Sequence, residues 1–187
     1  MKFLLPYILL FSFILGKCFD SFSQISPGDL AKVLAYFTNE EVRKYLGGHP
    51  PSRLEEIAQM CLRSYHDPGF WTIALTNTGQ VIGEISLGRI IDGYLGELGY
   101  LIDRPFWNCG YATEAAQNVI AYGFKHLGLA RIRARMMIGN IGSVHVAEKL
   151  GMSFETRLND ADYGGRVADI LHYSIHRDQF SHPRNVN

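Results

Sequence analysis

The sequence predicts a single α+β (mixed α/β) domain in which helices flank a central mixed, mostly antiparallel sheet. Three observations carry that expectation. The chain is 187 residues long, which suits one domain with one core. Apolar periods near 3.6 and near 2 follow one another along it, without internal repeats or low-complexity tracts. Three strand-like runs near its middle are separated only by short turn signals, which makes them neighbours in an antiparallel meander.

The first segment, residues 1–23, has two readings. A nearly apolar run from Phe3 to Leu15 is too short for a comfortable membrane span of roughly 20 residues but has the size of a signal-peptide core. Ser21-Phe22-Ser23 offers a small-x-small cleavage pattern, although Lys17 and Asp20 intervene, and Lys17 directly before Cys18 excludes a lipoprotein site. Alternatively Phe13, Leu15 and Lys17 onward form the first strand of the domain, behind an apolar extension. The folded unit is expected over residues 24–187 in either case.

Ser26-Pro27-Gly28-Asp29 opens a helix, with Ser26 as cap and Pro27 in the first turn, and Leu30, Val33, Leu34 and Phe37 mark its apolar face. A second helix begins at Asn39 and stops at Gly47-Gly48. Ser52-Arg53-Leu54-Glu55 opens a third, with Leu54, Ile57, Ala58, Cys61 and Leu62 at core spacing. Strands are expected at 70–76, 81–89 and 95–102, divided by Asn77-Thr78-Gly79 and Asp92-Gly93. An amphipathic helix follows over 112–127, where Ala112, Ala115, Ala116, Val119, Ile120, Gly123, Phe124 and Leu127 share a face. The order closes with a strand at 131–138, a short helix at 143–150 stopped by Gly151, and strands at 154–158 and 167–176.

Composition removes several functional classes. Eighteen Lys plus Arg balance eighteen Asp plus Glu, so the excess of positive charge that grips nucleic-acid phosphates is missing. Cys18, Cys61 and Cys109 are odd in number and lack CxxC spacing, which suggests neither a disulfide framework nor a zinc knuckle. His172 and His176 would need a helix to act as a metal pair, yet their surroundings read as strand. No metal is expected.

Ahead of the long helix, Gly110 and Ala112 keep side-chain bulk low, so backbone N–H groups converge at its positive end, a site for phosphate oxygens. That turn is part of a wider pattern. Gly96-Glu97-Leu98-Gly99-Tyr100-Leu101-Ile102, then Trp107-Asn108-Cys109-Gly110-Tyr111-Ala112-Thr113-Glu114-Ala115, then Asn140-Ile141-Gly142-Ser143-Val144-His145-Val146-Ala147-Glu148-Lys149-Leu150-Gly151-Met152 resemble three segments of the GNAT superfamily of acyl-CoA-dependent N-acyltransferases. In order, they resemble its fourth strand, its pyrophosphate loop with the following helix, and its later Asn-x-x-Ser to Lys-Leu-Gly-Phe segment. The combination is most similar to the branch of ribosomal-protein N-terminal acetyltransferases and related small-molecule enzymes, and it covers Ser26 to Phe180.

The resemblance implies splayed central strands, acetyl-CoA as co-substrate and transfer of its acetyl group to a primary amine, a peptide α-amine or a small molecule, by direct attack. Trp107, Asn108, Cys109, Gly110, Tyr111, Ala112 and Thr113 would hold the diphosphate. Tyr100, Leu101 and Ile102 would pair with the pantetheine amides, and Asn140 and Ser143 would complete the cofactor site. A backbone N–H of the strand bearing Tyr100 would stabilise the oxyanion. Two departures stand out: Asn108 and Cys109 replace the usual Gly and basic residue, and Ala147 stands where many members carry a Tyr that protonates the leaving sulfur. Ser143 is then the available donor, with water as the other. These departures also leave open a non-catalytic CoA- or anion-binding module.

Glu97 is the candidate general base; the bland alternative is a strand carboxylate facing solvent or paired with Arg. A Lys amine is only about 0.1% neutral at pH 7.4, a cost of roughly 4 kcal/mol, whereas an α-amine costs under about 1 kcal/mol. A chain without an obvious strong base therefore suits an amine of low pKa. His145 reads as an exposed helix histidine, Cys109 lacks a placed His partner for hydrolase chemistry, and Arg131, Arg133 and Arg135 read as one solvated strand face with paired carboxylates. Because acetyl-CoA is a cytosolic metabolite, the cytoplasm is the expected compartment, export by residues 1–23 being the alternative. Neither a nucleic acid nor a stable membrane association is expected, and a homodimer is compatible with the reading.

Overall fold

The computed structural model describes residues 28–48, 50–64 and 69–180. Ser26, Pro27 and both readings of residues 1–23 lie outside the described residues. Three helices come first. α1 (Leu30–Thr38) buries Val33, Tyr36 and Phe37. Asn39 ends it and caps α2 (Glu40–Arg43), its Oδ1 accepting from the N–H groups of Glu41 at 2.9 Å and Val42 at 3.4 Å. Before α3 (Leu54–Ser64), the Ser52 N–H donates to Glu56 Oε2 at 2.8 Å. Leu54, expected in the core, is 45% exposed in the first turn, and Ile57 takes the buried position one turn on.

The sheet has six strands among the described residues: β1 (Phe70–Ala74), β2 (Val81–Ile91), β3 (Leu95–Ile102), β4 (Arg131–Met137), β5 (Ser153–Asp162) and β6 (Val167–His176). Their spatial order is β1-β2-β3-β4-β6-β5, antiparallel throughout except for the parallel pair β3/β4. The mostly antiparallel mixed sheet is therefore as the sequence indicates, with boundary shifts of more than one residue in β1, β2 and β5. β1 stops at Ala74 because Leu75 already closes the turn by donating to Gln80 O at 2.9 Å. β2 runs on to Ile91 because the left-handed pair Asp92 and Gly93 (φ 52° and 66°) turns the chain tightly enough to keep Ile91 opposite Leu95. β5 continues past Leu158 because an irregularity between Leu158 and Ala161 absorbs Asp160 (φ 47°), after which Ala161 pairs with Ala168.

Two apolar clusters lie on opposite faces of this sheet. On one, α4 (Tyr111–Lys125) packs Ala115, Ala116, Val119, Ile120 and Phe124 against Leu87, Leu98, Ile132 and Ala134, and α5 (Ile141–Lys149) adds Ala147. On the other, α1 to α3 bring Val33, Tyr36, Phe37, Val42 and Ile57 over Val81 and Leu101. The N-terminal helices thus cover the β1–β3 half of their face. Arg131, Arg133 and Arg135 of β4 alternate with the buried Ile132, Ala134 and Met136.

Candidate active site

The parallel pairing of β3 with β4 runs from Leu95 opposite Arg131 to Leu98 opposite Ala134 and stops there, although β3 continues to Ile102 and β4 to Met137. The two strands part beyond that point, as the resemblance implies. Which main-chain groups face the opening follows from register. The Asp103 N–H donates to Ile82 O at 2.8 Å, toward β2, and antiparallel bonding alternates, so Leu101 also faces β2 while Tyr100 and Ile102 face the opening. Of the three strand residues expected on the cofactor, Tyr100 and Ile102 have main chain turned that way. Leu101 instead buries its side chain under α1.

Past β3, Asp103 Oδ1 accepts from the Arg104 N–H at 2.8 Å and starts a 3-10 turn, Arg104–Phe106. Trp107 Nε1 then donates to Ile102 O at 2.7 Å, and the Arg104 guanidinium lies 4.8 Å from the centre of the Trp107 ring. This clamps the chain as it turns toward α4. Asn108 (φ 62°) and Gly110 (φ 91°) are both left-handed, and Gly110 precedes α4 without a side-chain cap. Glu114 N–H closes the first helical turn on Gly110 O at 3.0 Å, so the N–H groups of Ala112 and Thr113 lie ahead of the first intrahelical bond. Beyond its chain neighbours, no atom among the described residues stands within 4 Å of the point a Gly110 Cβ would occupy. The cradle is unplugged and its donor chemistry fits a diphosphate. Cys109 is exposed, its thiol donating to Trp107 O at 3.4 Å.

Asn140 Oδ1 accepts from the Ser143 N–H at 3.2 Å and so caps α5. The Tyr100 hydroxyl donates to Ser143 O at 3.4 Å, tying β3 to this helix across the opening. Burial pushes the Tyr100 phenol up to about 12, which keeps its proton in place. His145 is exposed and Ala147 is buried in the core.

On the opposite face, bordering Gly99, Tyr100 and Leu101, lies a cavity of about 470 Å³. Its floor carries Glu84 of β2, a residue that strand alternation alone assigns to solvent. Burial pushes the Glu84 carboxyl up to about 8, opposed only in part by the Tyr36 hydroxyl, which donates to Oε2 at 3.5 Å from α1. Beside the cavity, residues 44–48 meet the hairpin between β5 and β6. Gly48 N–H donates to Tyr163 O at 3.3 Å, and Arg166 Nη1 donates to the carbonyls of Lys44 at 3.3 Å and Leu46 at 2.9 Å. A Cβ on Gly47 would stand 2.8 Å from Tyr163 O, and one on Gly164 2.5 Å from Gly48 N, so the two segments interlock through bare backbone.

Glu97 stands on the same face but is engaged. Its Oε2 accepts from Arg133 Nη2 and its Oε1 from Arg135 Nε, both at 3.0 Å, with all three side chains mostly buried. Arg135 in turn lies 5.5 Å from the Tyr163 ring centre, and the Tyr163 hydroxyl donates to Arg135 O at 3.2 Å. The chain Glu97, Arg135, Tyr163 therefore supports a wall of the cavity. Taking a proton at Glu97 would break two ion pairs in a poorly solvated place. Glu97→Gln is expected to lower the Tm by several degrees; calorimetry checks this.

These features have counterparts in known proteins. Residues 21–153 match the acetyltransferase (GNAT) domain family. The N-acetyltransferase YoaA of Bacillus subtilis is 31% identical over 159 residues, covering 81% of this chain and 90% of that protein. N-acetyltransferase p20 of Bacillus licheniformis is 30% identical over 154 residues, covering 78% and 86% respectively. Among solved structures, a GNAT-family acetyltransferase from Bacillus anthracis superposes with a TM-score of 0.75 at 25% identity, over 83% of this chain and 93% of that one. Spermidine N-acetyltransferase from Vibrio cholerae, in complex with CoA and spermine, shares the fold with a TM-score of 0.72 at 20% identity, over 87% and 97%. With parted strands, an open helix-start cradle and these relatives together, the chain belongs to the GNAT family and is an N-acetyltransferase.

Proposed function

We propose that the chain transfers the acetyl group of acetyl-CoA to a primary amine by direct attack, with Glu84 rather than Glu97 accepting the amine proton. The observation that carries this reading is the opening between β3 and β4, which has a diphosphate cradle on one side and a cavity floored by a carboxyl on the other. Trp107, Asn108, Cys109, Gly110, Tyr111, Ala112 and Thr113 would surround the diphosphate, the main chain of Tyr100 and Ile102 would meet the pantetheine amides, and Asn140 with Ser143 would border them from α5. Acetyl-CoA supplies an acetyl group already activated as a thioester.

Each protein group then has a defined task. Glu84, raised to about 8, lies within roughly two to three pKa units of an ordinary primary alkylamine, against roughly six for an unperturbed carboxylate, so taking the ammonium proton is far less uphill. A β3 N–H facing the opening stabilises the oxyanion. Ser143 Oγ donates a hydrogen bond on the α5 side, and the Tyr100 hydroxyl holds that helix in place through Ser143 O. Ser143→Ala and Tyr100→Phe are each expected to lower kcat by about tenfold or less, with the double variant lower still; single-turnover thiol release measures the difference. Membership of the branch of ribosomal-protein N-terminal acetyltransferases and related enzymes, a folded unit over residues 24–187 and a cytoplasmic setting belong to the same reading.

The test is release of CoA thiol from acetyl-CoA by the full chain against a panel of primary amines. Amine-dependent release supports the reading, and CoA binding with no turnover on any amine overturns it.

A further inference from the structure

The walls and charge of the cavity narrow the acceptor, an inference that rests on the acetyl-transfer reading above. A cavity of about 470 Å³ falls in the range of small-molecule sites. Phe37, Leu46, Pro50, Phe70, Leu101 and Tyr163 are its larger apolar and aromatic lining residues, and Glu84 is the one charged side chain among the described lining residues.

Charge count decides between amine classes. One ammonium can pair with Glu84. A second, a few methylenes away as in a polyamine, would find no carboxylate among the described lining residues to compensate it, so it adds a desolvation cost without an ion pair. An acid on the substrate would face Glu84 with no cation among the described lining residues to balance it. Each further peptide unit would bring an N–H and a C=O that need partners, and the side chains offer Ser86 and the tyrosines where a peptide groove offers a strand edge.

We propose that the acceptor is a small primary monoamine with an uncharged, apolar body, such as an arylalkyl amine, its nitrogen on Glu84 and its body against Phe37, Phe70 and Tyr163. Recognition is by one ion pair and shape, so the ring or alkyl group sets affinity while the carboxylate sets the position of the nitrogen.

The full chain is assayed by thiol release with 2-phenylethylamine, spermidine and a tetrapeptide beginning with alanine. The kcat/KM for 2-phenylethylamine is expected to exceed the other two by about tenfold or more. Glu84→Gln is expected to raise the KM for 2-phenylethylamine about tenfold while the Kd for CoA stays within about twofold, which separates loss of the ion pair from loss of the fold. Ser86→Asp, which adds a second carboxylate two residues along the same strand face, is expected to shift the ratio of rates toward spermidine about tenfold. Faster turnover of spermidine or of the peptide, an unchanged KM in Glu84→Gln, or an unmoved ratio in Ser86→Asp overturns the monoamine assignment and leaves acetyl transfer standing. No thiol release with any amine, CoA being bound, overturns acetyl transfer and the assignment together.

Discussion

Glu84→Gln is expected to lower kcat/KM for the amine by about 100- to 1000-fold near pH 8, the usual worth of a positioned proton acceptor. The wild-type kcat/KM should climb with pH through about 8 and then level, because only the ionised carboxyl accepts a proton. In the variant that limb disappears. Among the described residues, the Tyr36 hydroxyl meets Glu84 from α1, Thr72 lies opposite it on β1, and Tyr163 lines the same cavity, its phenol held above the ordinary range by burial. None of them supplies a cation that would pull Glu84 back down.

The same substitution has a stability signature. The carboxyl binds its proton more tightly in the folded chain than in the unfolded one, where Glu titrates near 4.3. Its contribution is therefore complete below about pH 4.3 and is lost as pH rises toward 8, at up to about 1.4 kcal/mol per unit crossed. Gln carries no such slope. The variant should gain stability relative to wild type between pH 5 and 8, and urea unfolding at those two values tests it. A wild-type stability that is flat over this window would remove Glu84 as a titrating group.

Gly110→Asp is expected to weaken CoA binding about 100-fold, near 2.7 kcal/mol. Two causes add. A side chain at φ 91° is strained by roughly 1–2 kcal/mol, and a carboxylate ahead of α4 repels the diphosphate where the helix start otherwise attracts it. Gly110→Ala isolates the first cause and should weaken binding about tenfold at most. Titration calorimetry with CoA distinguishes them, and equal losses in the two variants would show that strain alone acts.

Sequence made the sheet legible because its punctuation is local. Asp92 and Gly93 announce a hairpin, Asn140 announces a helix start, and the row Arg131, Arg133, Arg135 against Ile132, Ala134, Met136 announces a two-faced strand. The low-bulk turn at Gly110 ahead of α4 was legible for the same reason. Glu84 was not, because Glu84, Ser86 and Gly88 alternate with Ile85 and Leu87 in the manner of a strand with one wet face. Whether that face stays wet depends on α1 and α3, some fifty and thirty residues upstream in the order of elements. A signal did exist: Val33, Phe37 and Ile57 form apolar helix faces that need a sheet surface to cover, and the β1–β3 half was the vacant one. Glu97 fell between these cases. Its strand was evident, but the parallel register that sets it beside Arg133 joins residues 36 apart.

The backbone interlock between residues 47–48 and 163–164 constrains how such a pocket can diversify. Where a ceiling is built from side chains, point substitution raises or lowers it freely. Here any added carbon at Gly47 or Gly164 collides with main chain, so the ceiling height is inherited by both segments jointly. New acceptor preferences would then arise from exchange at the floor and sides, or from replacing the two loops as one unit.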